Sequence, residues 1–297
     1  MKKILLLIPL LALIVVLSGC VIPGGSGSSD TQTTKGAVIT DFEPDFAEVD
    51  SGQEVRFRLR VKNLGEVVAT DVKATLESIP DNWEVTKAEC DLGTLERKQG
   101  SLEGGEASCE FIAKVIYPAN TETVSKPVAR VTYKYKTSTT AFVSIINIDE
   151  ARRLNDAKKL TSSSETRETT TNSPISISIK FDSPVKLFSD SLNFPLKLDF
   201  QNADGTVCHP DCSDPKNYYK VNYQFSWGSK LSEAAEIPCK QTETIDLFKG
   251  EDQSLTCRLQ AKDVQTSVES LLQIDADYGY LIQKSTSVRV RGRAPTS

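Results

Sequence analysis

The chain has 297 residues, with 35 Lys and Arg against 40 Asp and Glu, a net charge of −5 and 39% hydrophobic residues. That length holds two domains of ordinary size, and the acidic balance argues against nucleic acid as a partner. There is one histidine, His209, so any Ser-His-Asp or Cys-His arrangement must be built on it.

At the start, Lys2 and Lys3 precede an apolar run from Ile4 to Leu17, and the small pair Ser18-Gly19 leads into Cys20. Charged, apolar and small residues in that order read as an export signal with a cleavage point. The stretch Leu17-Ser18-Gly19-Cys20 resembles the lipobox of prokaryotic lipoproteins, in which cleavage falls before the cysteine and that cysteine carries lipid. The resemblance implies a signal peptide over residues 1–19, a covalent lipid on Cys20 and a protein anchored to the outer face of the cell membrane. The alternative is a retained helix. Ile4 to Leu17 is 14 residues, and at roughly 1.5 Å each they fall short of a hydrocarbon core of roughly 30 Å. Extension through Ile22 nearly closes that gap. In either case the remainder faces outward. Removing Lys2 and Lys3 takes the charge from −5 to −7, so the exported part is acidic. Residues 20–36 are rich in Gly, Ser and Thr and read as a flexible tether, with a root-mean-square span of about 20 to 24 Å.

A first domain is expected over residues 37–148. Val55, Phe57, Leu59 and Val61 alternate without exception with Arg56, Arg58, Arg60 and Lys62, the pattern of a half-buried strand. The same period fits Cys109, Phe111, Ala113 and Val115, and then Ala129, Val131, Tyr133 and Tyr135. Turn formers such as Asp50-Ser51-Gly52, Asn63-Leu64-Gly65 and Pro80-Asp81-Asn82 separate the runs. Short alternating strands at this spacing predict an antiparallel β-sandwich. The cluster Asp41, Glu43, Asp45, Glu48 and Asp50 lacks the loop pattern of a calcium site and reads as a solvated strand edge.

Residues 149–173 change in composition. Glu150 to Leu160 has the makings of a short charged helix, and Thr161 to Asn172 is too polar to pack, so a solvated linker is expected.

A second domain over residues 174–292 repeats the plan, followed by a disordered tail over 293–297. Ile175, Ile177, Ile179 and Phe181 alternate with polar residues, as do Phe194, Leu196, Leu198 and Phe200, and Leu272, Ile274, Ala276, Tyr278 and Tyr280 form a later strand. Gly105-Glu106 through Cys109 to Lys114 matches Gly250-Glu251 through Cys257 to Lys262, so the chain reads as two copies of one domain type.

Cysteine usage fits export. Of seven cysteines, Cys20 is assigned to lipid and six remain. The repeat pairs Cys90 with Cys109 and Cys239 with Cys257 at similar spacing, which leaves Cys208 with Cys212. Each of the two larger loops would stabilise its domain by roughly 3 kcal/mol. Cys208, His209, Asp211 and Cys212 also form a candidate zinc-type ligand set, set against a small disulfide loop in an oxidising compartment.

The first domain carries a further resemblance. Val49-Asp50-Ser51-Gly52-Gln53-Glu54, the alternating strand to Lys62, Asn63-Leu64-Gly65, and then Ala69 to Leu76 and Pro80 resemble the cell-adhesion-related (CARDB-like) domains of bacterial and archaeal surface proteins. The second domain has Asn202-Ala203-Asp204-Gly205 at the corresponding place. The resemblance implies an all-β protein of two tandem immunoglobulin-like antiparallel β-sandwiches that serves as a spacer or binding module, with no catalytic residues.

No Gly-x-Ser-x-Gly elbow, phosphate-cradling loop or His-Glu-x-x-His helix is present, and no cofactor is implied beyond the lipid. The expected function is non-catalytic adhesion, scaffolding or binding of surface proteins or glycans. The alternative is a lipoprotein that captures a solute or metal for a transporter. The candidate binding loop runs from Asn202 to Tyr219, because the first copy lacks it, with Tyr218 and Tyr219 as its aromatic residues.

Overall fold

The alternation around Phe57 becomes a strand with Val55, Phe57, Leu59 and Val61 buried and the cationic residues between them facing solvent, as a period of two requires. A computed structural model describes residues 35–118, 120–160 and 167–292. The expected signal peptide, the lipid-bearing Cys20, most of the tether and the tail lie outside the described residues.

The first lobe contains β1 (Ala37–Pro44), β2 (Glu48–Asp50), β3 (Glu54–Asn63), β4 (Ala69–Glu77), β5 (Trp83–Lys87), β6 (Glu89–Leu95), β7 (Glu106–Val115), β8 (Glu122–Ser125) and β9 (Val128–Asn147). Helix α1 (Ile148–Asp156) and β10 (Arg167–Thr170) follow. The second lobe contains β11 (Ile175–Lys180), β12 (Val185–Leu187), β13 (Ser191–Asn202), β14 (Thr206–Cys208) and β15 (Lys220–Trp227). It ends with β16 (Leu231–Glu233), β17 (Thr242–Asp246), β18 (Asp252–Lys262), β19 (Ser267–Ser285) and β20 (Val288–Arg291).

Each lobe is an immunoglobulin-like sandwich. The back sheets run β1-β3-β7-β5 and β11-β13-β18-β16, the A-B-E-D order of that fold with the strands taken in sequence. The front strands are β6-β4-β9 in one lobe and β17-β15-β19 in the other, and they are not two sheets. β9 and β19 pair antiparallel along their whole length, from Ser267 opposite Ile146 to Ser285 opposite Val128. The result is one front sheet, β17-β15-β19-β9-β4-β6, with β10, β12 and β14 attached to its two central strands. Because the two lobes share one strand order and their central strands run in opposite directions, an approximate twofold axis normal to the sheet relates them.

One inner face runs the length of this sheet. On β9, Ala129, Val131, Tyr133, Tyr135, Thr137, Thr139, Ala141, Val143 and Ile145 are all buried, so both back sheets cover the same side. Where the lobes meet, four tyrosines pack together: Tyr133 lies 5.8 Å from Tyr135 and 5.7 Å from Tyr280, and Tyr278 lies 6.4 Å from Tyr135. Their hydroxyls fasten both lobes to the sheet. Tyr133 donates to Ala37 O, Tyr280 donates to Asn202 Oδ1 and accepts from Gly205 N, and Tyr135 accepts from Val67 N. The Thr137 hydroxyl joins Ser173 Oγ at 2.8 Å, Ile175 O at 2.9 Å and Tyr278 Oη at 2.8 Å.

Residues 149–173 were expected to hold two separate domains loosely. In the structure α1 begins directly at the end of β9, with Asn147 Oδ1 capping the amide of Asp149 at 2.8 Å. The polar stretch after it returns as β10, antiparallel to β9 with Thr169 opposite Thr140. The lobes are therefore held by the β9–β19 ladder rather than by the connecting chain. Threonine is polar in composition but favours strands, and hydrogen bonds to Ile175 O and Ile177 O satisfy the buried hydroxyls of Thr137 and Thr139.

The six cysteines form Cys90–Cys109, Cys208–Cys212 and Cys239–Cys257, with Cα separations of 6.4, 5.3 and 4.8 Å. Cys90–Cys109 staples front strand β6 to back strand β7, and Cys239–Cys257 ties the connection before β17 to β18. Among the described residues no helix is long and apolar enough to cross a membrane.

Candidate binding face

The connection from β3 to β4 takes residues 64–68, whereas the corresponding one from β13 to β15 takes residues 203–219. The longer connection first adds β14 to the front sheet, with Val207 opposite Tyr280 and Cys208 opposite Gly279. It then crosses the outward side of the sheet. Gly279 makes that crossing possible, since a Cβ there would stand 3.0 Å from Cys208 Sγ and 3.3 Å from Cys212 Sγ.

The crossing is pinned at each step. Asp211 Oδ1 accepts from the amide and hydroxyl of Ser213, and Asp214 Oδ1 accepts from Lys216 N at 2.9 Å, capping the 3-10 turn Pro215–Asn217. Arg130 of β9 donates one nitrogen to both Cys212 O and Tyr218 Oη at 2.8 Å, and its other terminal nitrogen pairs with Glu77 of β4 at 3.0 Å. A loop of the second lobe is thus fastened to the first lobe's half of the sheet. Tyr218 is spent on that docking. Its neighbour Tyr219 meets it edge to face, with ring centres 6.3 Å apart, and is 43% exposed with a left-handed φ of 65°. Gly250 leaves room for its ring, because a Cβ at Gly250 would come within 2.5 Å of it. Of the aromatic residues that follow, Tyr223 and Phe225 are buried in the core.

The loop stands as a wall with a groove on each side. The larger groove, about 820 Å³, is lined by Asp71, Lys73, Glu89, Asp91, Lys134 and Asp211 among others. The smaller, about 340 Å³, includes Thr70, Lys134, Lys136, His209, Pro210 and Asp277. Lys134 borders both and pairs with Asp71 at 2.6 Å. That hydrogen bond holds the Asp71 carboxyl below its ordinary range and raises the Lys134 ammonium above its own. The hydroxyl and amide of Ser213 likewise hold Asp211 low. Each shift favours the form that the group already carries at neutral pH.

The sequence grouped Cys208, His209, Asp211 and Cys212 as candidate metal ligands. The structure joins the two sulfurs to each other and turns Asp211 toward Ser213. No group of three or more His, Cys, Asp or Glu side chains among the described residues is placed to hold a metal ion.

Beyond the smaller groove the sheet is open and its chemistry changes. Ser138, Thr140, Phe142 and Ser144 point outward from β9, and Leu271, Gln273 and Asp275 from β19. Asn222, Gln224 and Ser226 continue the face on β15, and Thr242 and Thr244 on β17. Sequence reasoning missed this face because it ended the strand near Tyr135; extending the period of two through Thr137 would have exposed the Ser138, Thr140, Phe142 set.

No family model matches the chain, and no curated protein matches it. Among solved structures, it is similar to the D0-D1 domain of intimin at 13% identity, covering 78% of this chain and 95% of that one with a TM-score of 0.20. It is similar at 8% identity to a structure titled for the Enterococcus faecalis MSCRAMM ACE, which binds its ligands by the collagen Hug model, over 86% and 95% of the two chains with a TM-score of 0.19. It is also similar to the collagen adhesin CNA from S. aureus at 7% identity, over 86% and 92%, with a TM-score of 0.14.

Proposed function

We propose that the chain is a lipid-anchored, extracytoplasmic, non-catalytic module for adhesion or scaffolding, which binds protein or glycan surfaces through the open face of its front sheet. The observation that carries this reading is the β9–β19 ladder. It makes the two lobes one stiff plate with a broad outward face, and it lets a loop of one lobe dock on the other through Arg130. Three disulfides suit an oxidising exterior. Capture of a solute between closing lobes is disfavoured, since closure would have to bend or break that ladder.

Attachment tests the proposal. Cells displaying the full chain are compared with cells displaying a Ser226→Arg, Gln273→Arg variant, on glass coated with envelope fragments of the same cells. Surface labelling reads the amount displayed, and intact mass of the extracted protein reads the lipid on Cys20. Attachment that depends on the chain and falls in the variant is expected. Equal attachment with and without the chain refutes the reading.

A further inference from the structure

We infer that the second-lobe half of the open front face is a platform for a neutral polysaccharide chain; this rests on the binding role proposed above. The first support is the absence of charge. Between the Lys136–Asp277 pair and the Ser144–Glu269 pair, Asp275 is the one charged side chain facing outward from β9, β19, β15 and β17. It is half-buried and already engaged, accepting from Gln273 Nε2 at 2.9 Å with Lys136 at 3.9 Å. The remaining outward positions are hydroxyls and primary amides, such as Thr140, Gln224 and Ser226.

The second support is a contrast within the molecule. The outward face of the first back sheet has the same antiparallel geometry and comparable exposure. There Arg56, Arg58 and Arg60 face Glu106 and Glu110 in ion pairs. Strand geometry and solvation alone therefore do not call for an uncharged surface, and this chain keeps its charges elsewhere.

Shape gives the third support. Phe142 and Leu271 stand directly opposite each other on the outward face, 46% and 40% exposed. They bound the platform at one end, and His209 with Pro210 bounds it at the other. Phe142 lies six positions along β9 from Lys136, a length of about 20 Å. A sugar chain lying along it meets amides and hydroxyls that donate and accept in turn, and an apolar pair for its C–H faces. The one carboxylate in its path, Asp275, already accepts from Gln273 Nε2, which lessens the cost of covering it. A protein partner would call for an apolar centre with aromatic anchors, whereas the aromatic residue here lies at the rim. Within these rows of β9, β19, β15 and β17 a charged polysaccharide would find only Asp275, which is already engaged.

The test is cosedimentation of the full chain, held in phosphatidylcholine vesicles, with beads bearing β-1,4-glucan, β-1,3-glucan, mannan or galactan, against alginate beads. Binding to at least one neutral polysaccharide is expected, unchanged between about 50 mM and about 500 mM salt because no ion pairs are involved. Phe142→Ala with Gln273→Ala should weaken it by about tenfold, the scale of one stacked ring. Phe46→Ala, an exposed ring in the connection after back-sheet strand β1, should leave it unaltered. Binding to alginate alone, binding to none of the beads, or full binding by the double variant overturns the inference. Envelope fragments treated with periodate or with protease then separate the two readings. If protease but not periodate abolishes attachment, the platform inference falls and the adhesion reading stands; if untreated fragments are not bound either, both fall.

Discussion

Replacing Thr137 by Val tests the shared sheet where the lobes meet. Valine keeps the volume and the β-branch and removes one hydroxyl, which bonds Ser173 Oγ, Ile175 O and Tyr278 Oη. The partners are not left bare: Ser173 still reaches Thr171 O at 3.1 Å and Ile175 O at 2.9 Å, and Tyr278 Oη still accepts from Ile175 N at 3.3 Å. With about 1 kcal/mol net for each bond and partial compensation, the loss is about 2 kcal/mol. In a body of this size that lowers the melting point by about 4 to 8 °C. The chain has two tryptophans, Trp83 in the first lobe and Trp227 in the second, so Trp83→Phe and Trp227→Phe each leave one reporter. Trp83→Phe forfeits no hydrogen bond, since the buried Trp83 Nε1 has no partner among the described residues, and its lost volume lowers the parent and the Thr137→Val variant alike. Both fluorescence signals should melt at one temperature in the parent and shift together in the Thr137→Val variant. Two separate transitions, or a shift confined to one tryptophan, would refute the single-plate argument.

Burial holds the phenols of Tyr135 and Tyr280 at about 12 and raises those of Tyr133 and Tyr278 as well. The unfolded chain ionises its tyrosines near 10, so stability is complete below about pH 10 and falls as pH rises from there through about 12. Phenolate absorbance should then rise together with loss of the β circular-dichroism signal, and smooth titration with the fold intact would contradict this. Gly279→Ala places a methyl against the Cys208 and Cys212 sulfurs. It should cost about 1 to 3 kcal/mol, read as faster amide exchange at Val207 and Tyr219 while β3 and β7 keep their protection. Joint replacement of Cys239 and Cys257 by Ala opens a loop of sequence separation 18 and should lower stability by roughly 3 kcal/mol. Calorimetry should show it as a shift of one transition, and a second peak would count against the shared sheet.

Local patterns were legible in the sequence. The alternation at Val55 to Lys62 names its own buried face, and the repeat around Cys109 and Cys257 selects the pairings that the structure contains. Long-range pairing was not. Nothing near Tyr135 announces that its cross-strand partner is Tyr278, because register between distant strands is set by whole faces meeting and not by adjacent residues. Thr137 to Thr140 reads as the polar end of a strand until the carbonyls of Ile175 and Ile177 are known to receive the hydroxyls. Docking of the 203–219 connection was equally hidden: its length marks it as an insertion, but Arg130, which holds it, is 88 residues from Tyr218.

Edge chemistry explains why the lobes are fused. A lone lobe would end its front sheet on β9 or β19, strands of 20 and 19 residues with one whole side of amides and carbonyls unpaired. Long regular edges of that kind recruit other chains. Pairing the two removes both at once. The edges that remain are built differently: β6 carries Glu89 and Asp91 and has shifted register against β4, and β17 is five residues long with Glu243 and Asp246. Short, charged or irregular edges are poor templates for further strands. Sharing also widens the outward face from three strands to six, at about 4.8 Å per strand. Neither the docked loop nor the pairing of Phe142 with Leu271 exists on one lobe alone, because Arg130 and Phe142 belong to the first lobe while Tyr218 and Leu271 belong to the second. The device that closes the edges is therefore the same one that creates the broad outward face.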